Sequence, residues 1–139
     1  MCLTIKTEIH INKNPEAVWK CLTDFPAHAE WNPFLTRVDQ ISDKQLQVEF
    51  NGKTTFIPDI LKMEPNKELR WVGKLGGVNL LFKGEHYFIL KAEKKGTLFV
   101  HGEDFTGILA WLLWPFMKKK FEGYYIRMNQ ALKARVEQK

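Results

Sequence analysis

Residues 36 to 106 read as six strand-like segments with only turns between them. The expected strands are 36–41, 45–51, 54–63, 68–75, 81–92 and 97–106. The separators Ser42-Asp43-Lys44, Asn51-Gly52-Lys53, Glu64 to Glu68, Gly76 to Asn79 and Glu93 to Gly96 are all turn chemistry. Asn51-Gly52 is the strongest hairpin signal among them. Strands joined by so few residues run antiparallel. After Gly107 the period changes. Leu109, Leu113, Phe116, Met117, Phe121, Tyr124, Met128 and Leu132 recur at spacings of three and four, with Lys118, Lys119, Glu122 and Arg127 mainly on the other side. A long helix with one apolar stripe must cover something. The economical arrangement is a curved antiparallel sheet wrapped around the C-terminal helix.

The N-terminal third completes the pattern. Leu3, Ile5, Thr7, Ile9 and Ile11 alternate with polar residues, which predicts a half-buried strand. Asn14 suits a helix N-cap, Pro15 the first helical position and Glu16 the positive helix end. Ala17, Val18, Cys21, Leu22 and Phe25 then recur at helical spacing until Pro26. Residues 27–35 form a second short helix or turn that stops at Asn32-Pro33. The expectation is one α+β domain over 1–139, with seven strands, two short helices after the first strand and one long helix at the end.

Composition narrows the function. Lys and Arg number 21 against 16 Asp and Glu, a net charge of +5 that is mostly interspersed. No nucleic-acid motif accompanies it, so no nucleic-acid partner is expected. Cys2 and Cys21 lack metal-ligand spacing and read as free thiols of a reducing, cytoplasmic compartment. The four histidines form no metal signature, and no cofactor is expected. Gly73, Gly76 and Gly77 lead into no helix, so they make no phosphate cradle. No basic region followed by an apolar run opens the chain, so no secretory leader is expected. The ten Phe and five Trp call for a bulky core or an apolar cavity.

Alternation assigns the inner face of the sheet. Leu69, Trp71 and Gly73 share one face, as do Gly84, His86, Phe88 and Leu90, and Phe99, His101, Glu103 and Phe105. A four-residue turn at 93–96 sets Phe88 opposite His101 and His86 opposite Glu103. His86, His101 and Glu103 are thus the polar candidates on an aromatic wall. Three readings of them stand side by side. They orient a ligand, they satisfy one another as a structural pair, or they act as a catalytic acid and base. A register slip of one residue would turn all three toward water.

The quoted residues match a known pattern. NPEAVWKCLTDFPAHAEWNPF at 14–34, ELRWVGKLGG at 68–77, GEHYF at 84–88 and GTLFVHGEDFTGILAWLL at 96–113 fall in the right order along the chain. The sequence resembles the SRPBCC or START-like superfamily, the pollen-allergen fold. It is most similar there to bacterial proteins of polyketide cyclase/dehydrase and lipid-transport type. The resemblance implies a helix-grip fold, in which a seven-stranded sheet grips the C-terminal helix around a cavity for a hydrophobic molecule. It implies no fixed catalytic motif.

On that reading the ligand pocket is expected among Trp19, Trp31, Phe34, Trp71, His86, Phe88, Phe99, His101, Glu103, Phe105, Leu113, Tyr124 and Met128. The ligand would be lipid-, polyketide- or quinone-like. The alternative is a cyclase, dehydratase or isomerase using His86, His101 and Glu103, with Tyr124 polarising a carbonyl. Ile108 to Met117 is a ten-residue apolar run ahead of Lys118-Lys119-Lys120. A spanning helix needs ~20 such residues. Leu109, Leu113 and Phe116 are expected to face the cavity, and Pro115 to kink or break the helix. Trp111 and Trp114 then pack within the chain, against a second subunit in a homodimer, or in a membrane interface.

Overall fold

The computed structural model describes residues 3–74 and 81–138. The first strand β1 (Leu3–Ile11) leads into helix α1 (Pro15–Thr23), a 3-10 turn at Phe25–Ala27 and the short helix α2 (His28–Trp31). Six strands follow as expected, but one is split: β2 (Leu35–Ser42), β3 (Gln45–Phe50), β4 (Thr54–Phe56), β5 (Asp59–Glu64), β6 (Glu68–Lys74), β7 (Lys83–Glu93) and β8 (Gly96–Thr106). Helix α3 (Ile108–Glu137) closes the chain. The sheet order is β1-β8-β7-β6-β5-β3-β2, with β4 paired to β3. This is the helix-grip arrangement.

Eight strands replace the expected seven because Pro58 interrupts 54–63. Val48↔Phe56 and Gln45↔Asp59 belong to one continuous register with β3. Pro58 has no N–H to donate there. Its carbonyl still accepts from Leu46 N at 3.2 Å. Beyond it β5 turns to β6, from Asp59↔Val72 to Glu64↔Glu68. The Asn51-Gly52 turn is as expected: φ is 53° and 68°, and Lys53 N bonds the Phe50 carbonyl at 3.0 Å. Positive φ at both central residues matches the twist of the flanking strands. The expected turn at 76–79 and the end of strand 68–75 lie outside the described residues.

Capping and alternation explain the N-terminal part. Asn14 Oδ1 accepts from Ala17 N at 2.9 Å, and Val18, Trp19 and Leu22 point inward from α1. His28, which is buried, donates to the Leu22 carbonyl at 2.6 Å. Its other ring nitrogen then accepts from the Asn32 amide at 3.1 Å. Asn32 Oδ1 in turn accepts from Phe34 N and Leu35 N, both at 2.9 Å. This chain of bonds sets the angle at which the backbone enters β2.

Helix α3 packs across β1 and β8 and touches α1. It continues through Pro115 unbroken, contrary to a break there. Its buried positions are Ala110, Met117, Tyr125, Met128, Asn129, Leu132 and Val136. The expected Met117, Met128 and Leu132 are buried, but the rest of the inward face is rotated from the expected one. Leu113 and Phe116 are exposed, while Trp114 packs on Phe105. From Ile108 to Met117 the helix is apolar all round, so periodicity alone leaves its phase open.

Candidate functional site

The β7–β8 hairpin has the expected register, with Phe88↔His101 and His86↔Glu103. Both histidines are buried. Their Nε2 atoms lie 2.6 Å apart. His86 Nδ1 is 3.1 Å from Glu103 Oε1, and the Tyr125 hydroxyl donates to the same oxygen. His101 Nδ1 is 2.8 Å from Asn129 Oδ1. Asn129 Nδ2 donates to Thr7 Oγ1 at 2.8 Å, and Thr7 Oγ1 donates to the His101 carbonyl at 2.7 Å. Four elements, β1, β7, β8 and α3, thus meet in one buried polar network.

Donor and acceptor rules give this network a direction. A carbonyl only accepts, so the Thr7 proton points at His101 O. Thr7 Oγ1 must then accept from Asn129, which turns Asn129 Oδ1 toward His101. His101 therefore carries its proton on Nδ1 and presents a bare Nε2. His86 Nε2 must donate to it. His86 Nδ1 is left facing a carboxylate oxygen of Glu103. Burial, and then the neighbouring His86, hold His101 well below its ordinary pKa. Burial and the Glu103 carboxylate push the Tyr125 hydroxyl well above its own. Both groups are thus neutral at pH 7.

A cavity of about 270 Å³ opens beside the Glu103 end of this network. Phe34, Phe50, Phe56, Trp71, Phe82, Phe105 and Phe121 form much of its wall, and His86 and Glu103 are polar groups on it. Two glycines make the room. A Cβ on Gly84 would collide with Glu103 Oε2, so glycine lets the carboxylate lie flat on β7. Gly73 lines the cavity, and a Cβ there would sit 3.7 Å from the Phe56 ring.

Of the expected pocket residues, Phe34, Trp71, His86, Glu103 and Phe105 border this space. Phe88, Phe99, His101 and Met128 are fully buried in the layer beyond it, where Phe88 and His101 lie 4.6 Å apart. Trp19 is part of the same core. Tyr124 stacks on Phe34 at 5.5 Å, behind the wall. Trp31 borders a separate cleft between α1 and the end of α3. Leu113 points outward. The tyrosine that meets Glu103 is Tyr125, one position along from the expected Tyr124. Thr7 and Asn129 were not anticipated. Each is a lone polar residue on an otherwise apolar face, and that is the signal that marks them. Among the described residues, no three His, Cys, Asp or Glu side chains converge to hold a metal.

A curved antiparallel sheet that grips one long helix, with an aromatic cavity between them, defines a protein of the helix-grip class. The chain belongs to the polyketide cyclase/dehydrase and lipid transport family, whose sequence profile matches residues 3–137. Among solved structures, it is similar to a START superfamily protein from Mycobacterium smegmatis, with 20% identity, 97% of each chain covered and a TM-score of 0.76. It is also similar to the Zhui aromatase/cyclase of a Streptomyces species, with 12% identity, coverage of 99% of this chain and 94% of that one, and a TM-score of 0.78. A Mesorhizobium loti protein shares 19% identity over 95% of this chain and 98% of its own, with a TM-score of 0.72. No protein of curated function matches the chain. At these identities the structural likeness establishes the fold alone.

Proposed function

We propose that the protein binds an apolar small molecule of lipid, polyketide or quinone type between the sheet and α3, with its polar end at Glu103 and His86. One observation carries this reading: an aromatic cavity ends on a carboxylate that the protein itself already holds in place. Small-molecule sites divide their surface in this way, with apolar walls and a few set polar groups. The volume, about 270 Å³, is just under the ~300–1,000 Å³ common for such sites. The ligand is therefore small, or leaves part of itself at the mouth. Glu103 Oε1 is engaged by Tyr125 and His86, so an incoming group meets an acceptor and should bring a donor.

Native mass spectrometry of protein purified from its own host tests the reading, followed by identification of any co-purifying compound. Titration with the neutral fluorophore N-phenyl-1-naphthylamine tests the site. Gly73→Leu should send a branched side chain into the cavity, because only an ordinary contact with Phe56 limits its Cβ. The expected result is saturable binding by the wild type, weakened at least about tenfold in Gly73→Leu, or ~1.4 kcal/mol, with the thermal midpoint retained. Equal affinity in both proteins would put the ligand elsewhere.

An enzyme of cyclase, dehydratase or isomerase type is the second reading. The contact between His86 and Glu103 at the cavity favours it, since an imidazole nitrogen beside a carboxylate at a substrate's edge suits acid–base work. It ranks second because the polar groups already satisfy one another. His101 reaches the cavity only through His86 and would be a positioning residue. Turnover of a polyketone with a bell-shaped pH profile, lost in His86→Ala, would reverse the ranking.

A further inference from the structure

The start of α3 carries a surface that the cavity does not use. Gly107 (φ 111°) precedes helix α3 and lies against the Leu81 backbone, where a Cβ would collide. Leu109 N bonds the Leu81 carbonyl at 2.9 Å. The first turns of α3 therefore sit beside Phe82, which lines the cavity. Trp114 faces inward on Phe105, another wall residue, at 5.9 Å. The outward side chains of the same turns are unusually bare: Phe116 is 78% exposed, Ile108 65% and Trp111 57%. Leu81, Leu112 and Leu113 are exposed with them. Solvent-facing apolar groups gathered this densely mark an interaction surface.

Charge identifies what it meets. No acidic residue occurs from Ile108 to Phe121, and Lys118, Lys119 and Lys120 follow the apolar run at once, all exposed. Lys74, also exposed, borders the cavity. Tryptophan and phenylalanine beside lysines are the composition of a segment that lies in the interface of an anionic bilayer. No described helix is long and apolar enough to cross a membrane, so the contact is peripheral. A second copy fits less well, because it would add a second lysine triplet to the same interface.

We infer that the protein docks on anionic lipid surfaces through Leu81 and the first turns of α3, with the cavity mouth turned toward the bilayer. Exchange of the bound molecule with the lipid rests on the binding reading above; the docking does not. Apolar side chains supply the insertion and lysines the attraction, which salt screens.

The test is flotation of the full chain with vesicles of phosphatidylcholine alone and of phosphatidylcholine with phosphatidylglycerol. Wild-type protein should float with the mixed vesicles and not with the neutral ones. Trp111→Ala/Phe116→Ala, checked for fold by circular dichroism, should lose about tenfold or more in partitioning. K118Q/K119Q/K120Q, or about 0.5 M salt, should weaken it too. Gly73→Leu should float like the wild type while losing the fluorophore. A wild type that floats but never binds the fluorophore would uphold the docking and overturn the binding reading. Absence from the anionic vesicle fraction overturns the docking, as does flotation unchanged in Trp111→Ala/Phe116→Ala. A dimer abolished by Phe116→Glu, with no flotation, would make the surface an interface between copies.

Discussion

Asn129→Leu is expected to lower the unfolding free energy by about 3 kcal/mol and the thermal midpoint by roughly 10 °C. The two side chains are close in size, so the change leaves no large void. It removes the amide that accepts from His101 Nδ1 and donates to Thr7 Oγ1. Both partners are buried and would lose a bond, at ~1–3 kcal/mol each. The consequence runs further than the two bonds. Without an acceptor at Asn129, only the Tyr125 carbonyl is left to favour the His101 proton on Nδ1 over Nε2. A proton on Nε2 would face the His86 Nε2 proton across 2.6 Å. His86 would have to turn, and Glu103 would keep only Tyr125 as its partner. Thr7→Val should cost less, about 1 kcal/mol, because it removes one hydroxyl and keeps the amide. Denaturant titration gives the energies, and nitrogen NMR of the imidazoles reports the tautomer. An Asn129→Leu protein within 1 kcal/mol of wild type, with His101 still protonated on Nδ1, would show that the network does not hold the ring.

Acidification from pH 7 to pH 5 is expected to cost about 2 kcal/mol of stability. Burial is the main cause that lowers the pKa of both His28 and His101. At His101 the facing His86 lowers it further, while Asn129 and the Tyr125 carbonyl oppose the shift. At His28 the Leu22 carbonyl and Asp24 oppose it. Both histidines are thus held neutral in the folded chain while they ionise near 6.5 in the unfolded one. Below that pH the unfolded state binds more protons, so stability falls as pH falls, until the folded-state pKa values are reached. Well above pH 7 neither state binds them and the term flattens. Unfolded carboxylates titrate near pH 4, so the window above pH 5 belongs to histidine. Urea midpoints measured at half-unit steps check this. A midpoint that stays level from pH 7 to pH 5 would mean that the folded state accepts these protons.

Much of the site was legible in strand chemistry. Side chains alternate along a strand, and a turn of known length sets which residues pair across it. Those two rules placed His86 against Glu103 and Phe88 against His101 before any coordinates. They also put Thr7 on the inner face of β1, although not its role. Reading 54–63 as one strand misses the break at Pro58, although a proline inside a strand pattern argues against an unbroken strand.

Helix α3 and the cavity were decided elsewhere. From Ile108 to Met117 every helical face is apolar, so rotation about the axis changes no hydrophobic total, and the sequence supports Leu113 as well as Trp114 on the inner side. The sheet chooses between them, because it is Trp114 that packs on Phe105 while Leu113 faces solvent. The same rotation hands Glu103 to Tyr125 instead of Tyr124 and brings Asn129 to His101. The cavity has a similar origin. Aromatic residues announce volume to be filled, but whether they fill it depends on how rings from opposite elements meet. Phe88, Phe99 and His101 close completely on one another, whereas Gly73 and Gly84 leave the next layer open. Local periodicity determined the elements and the hairpin register, since both follow from backbone geometry over a few residues. The phase of α3 and the position of the void were set only in the tertiary structure, where side-chain volumes distant in sequence compete for the same space.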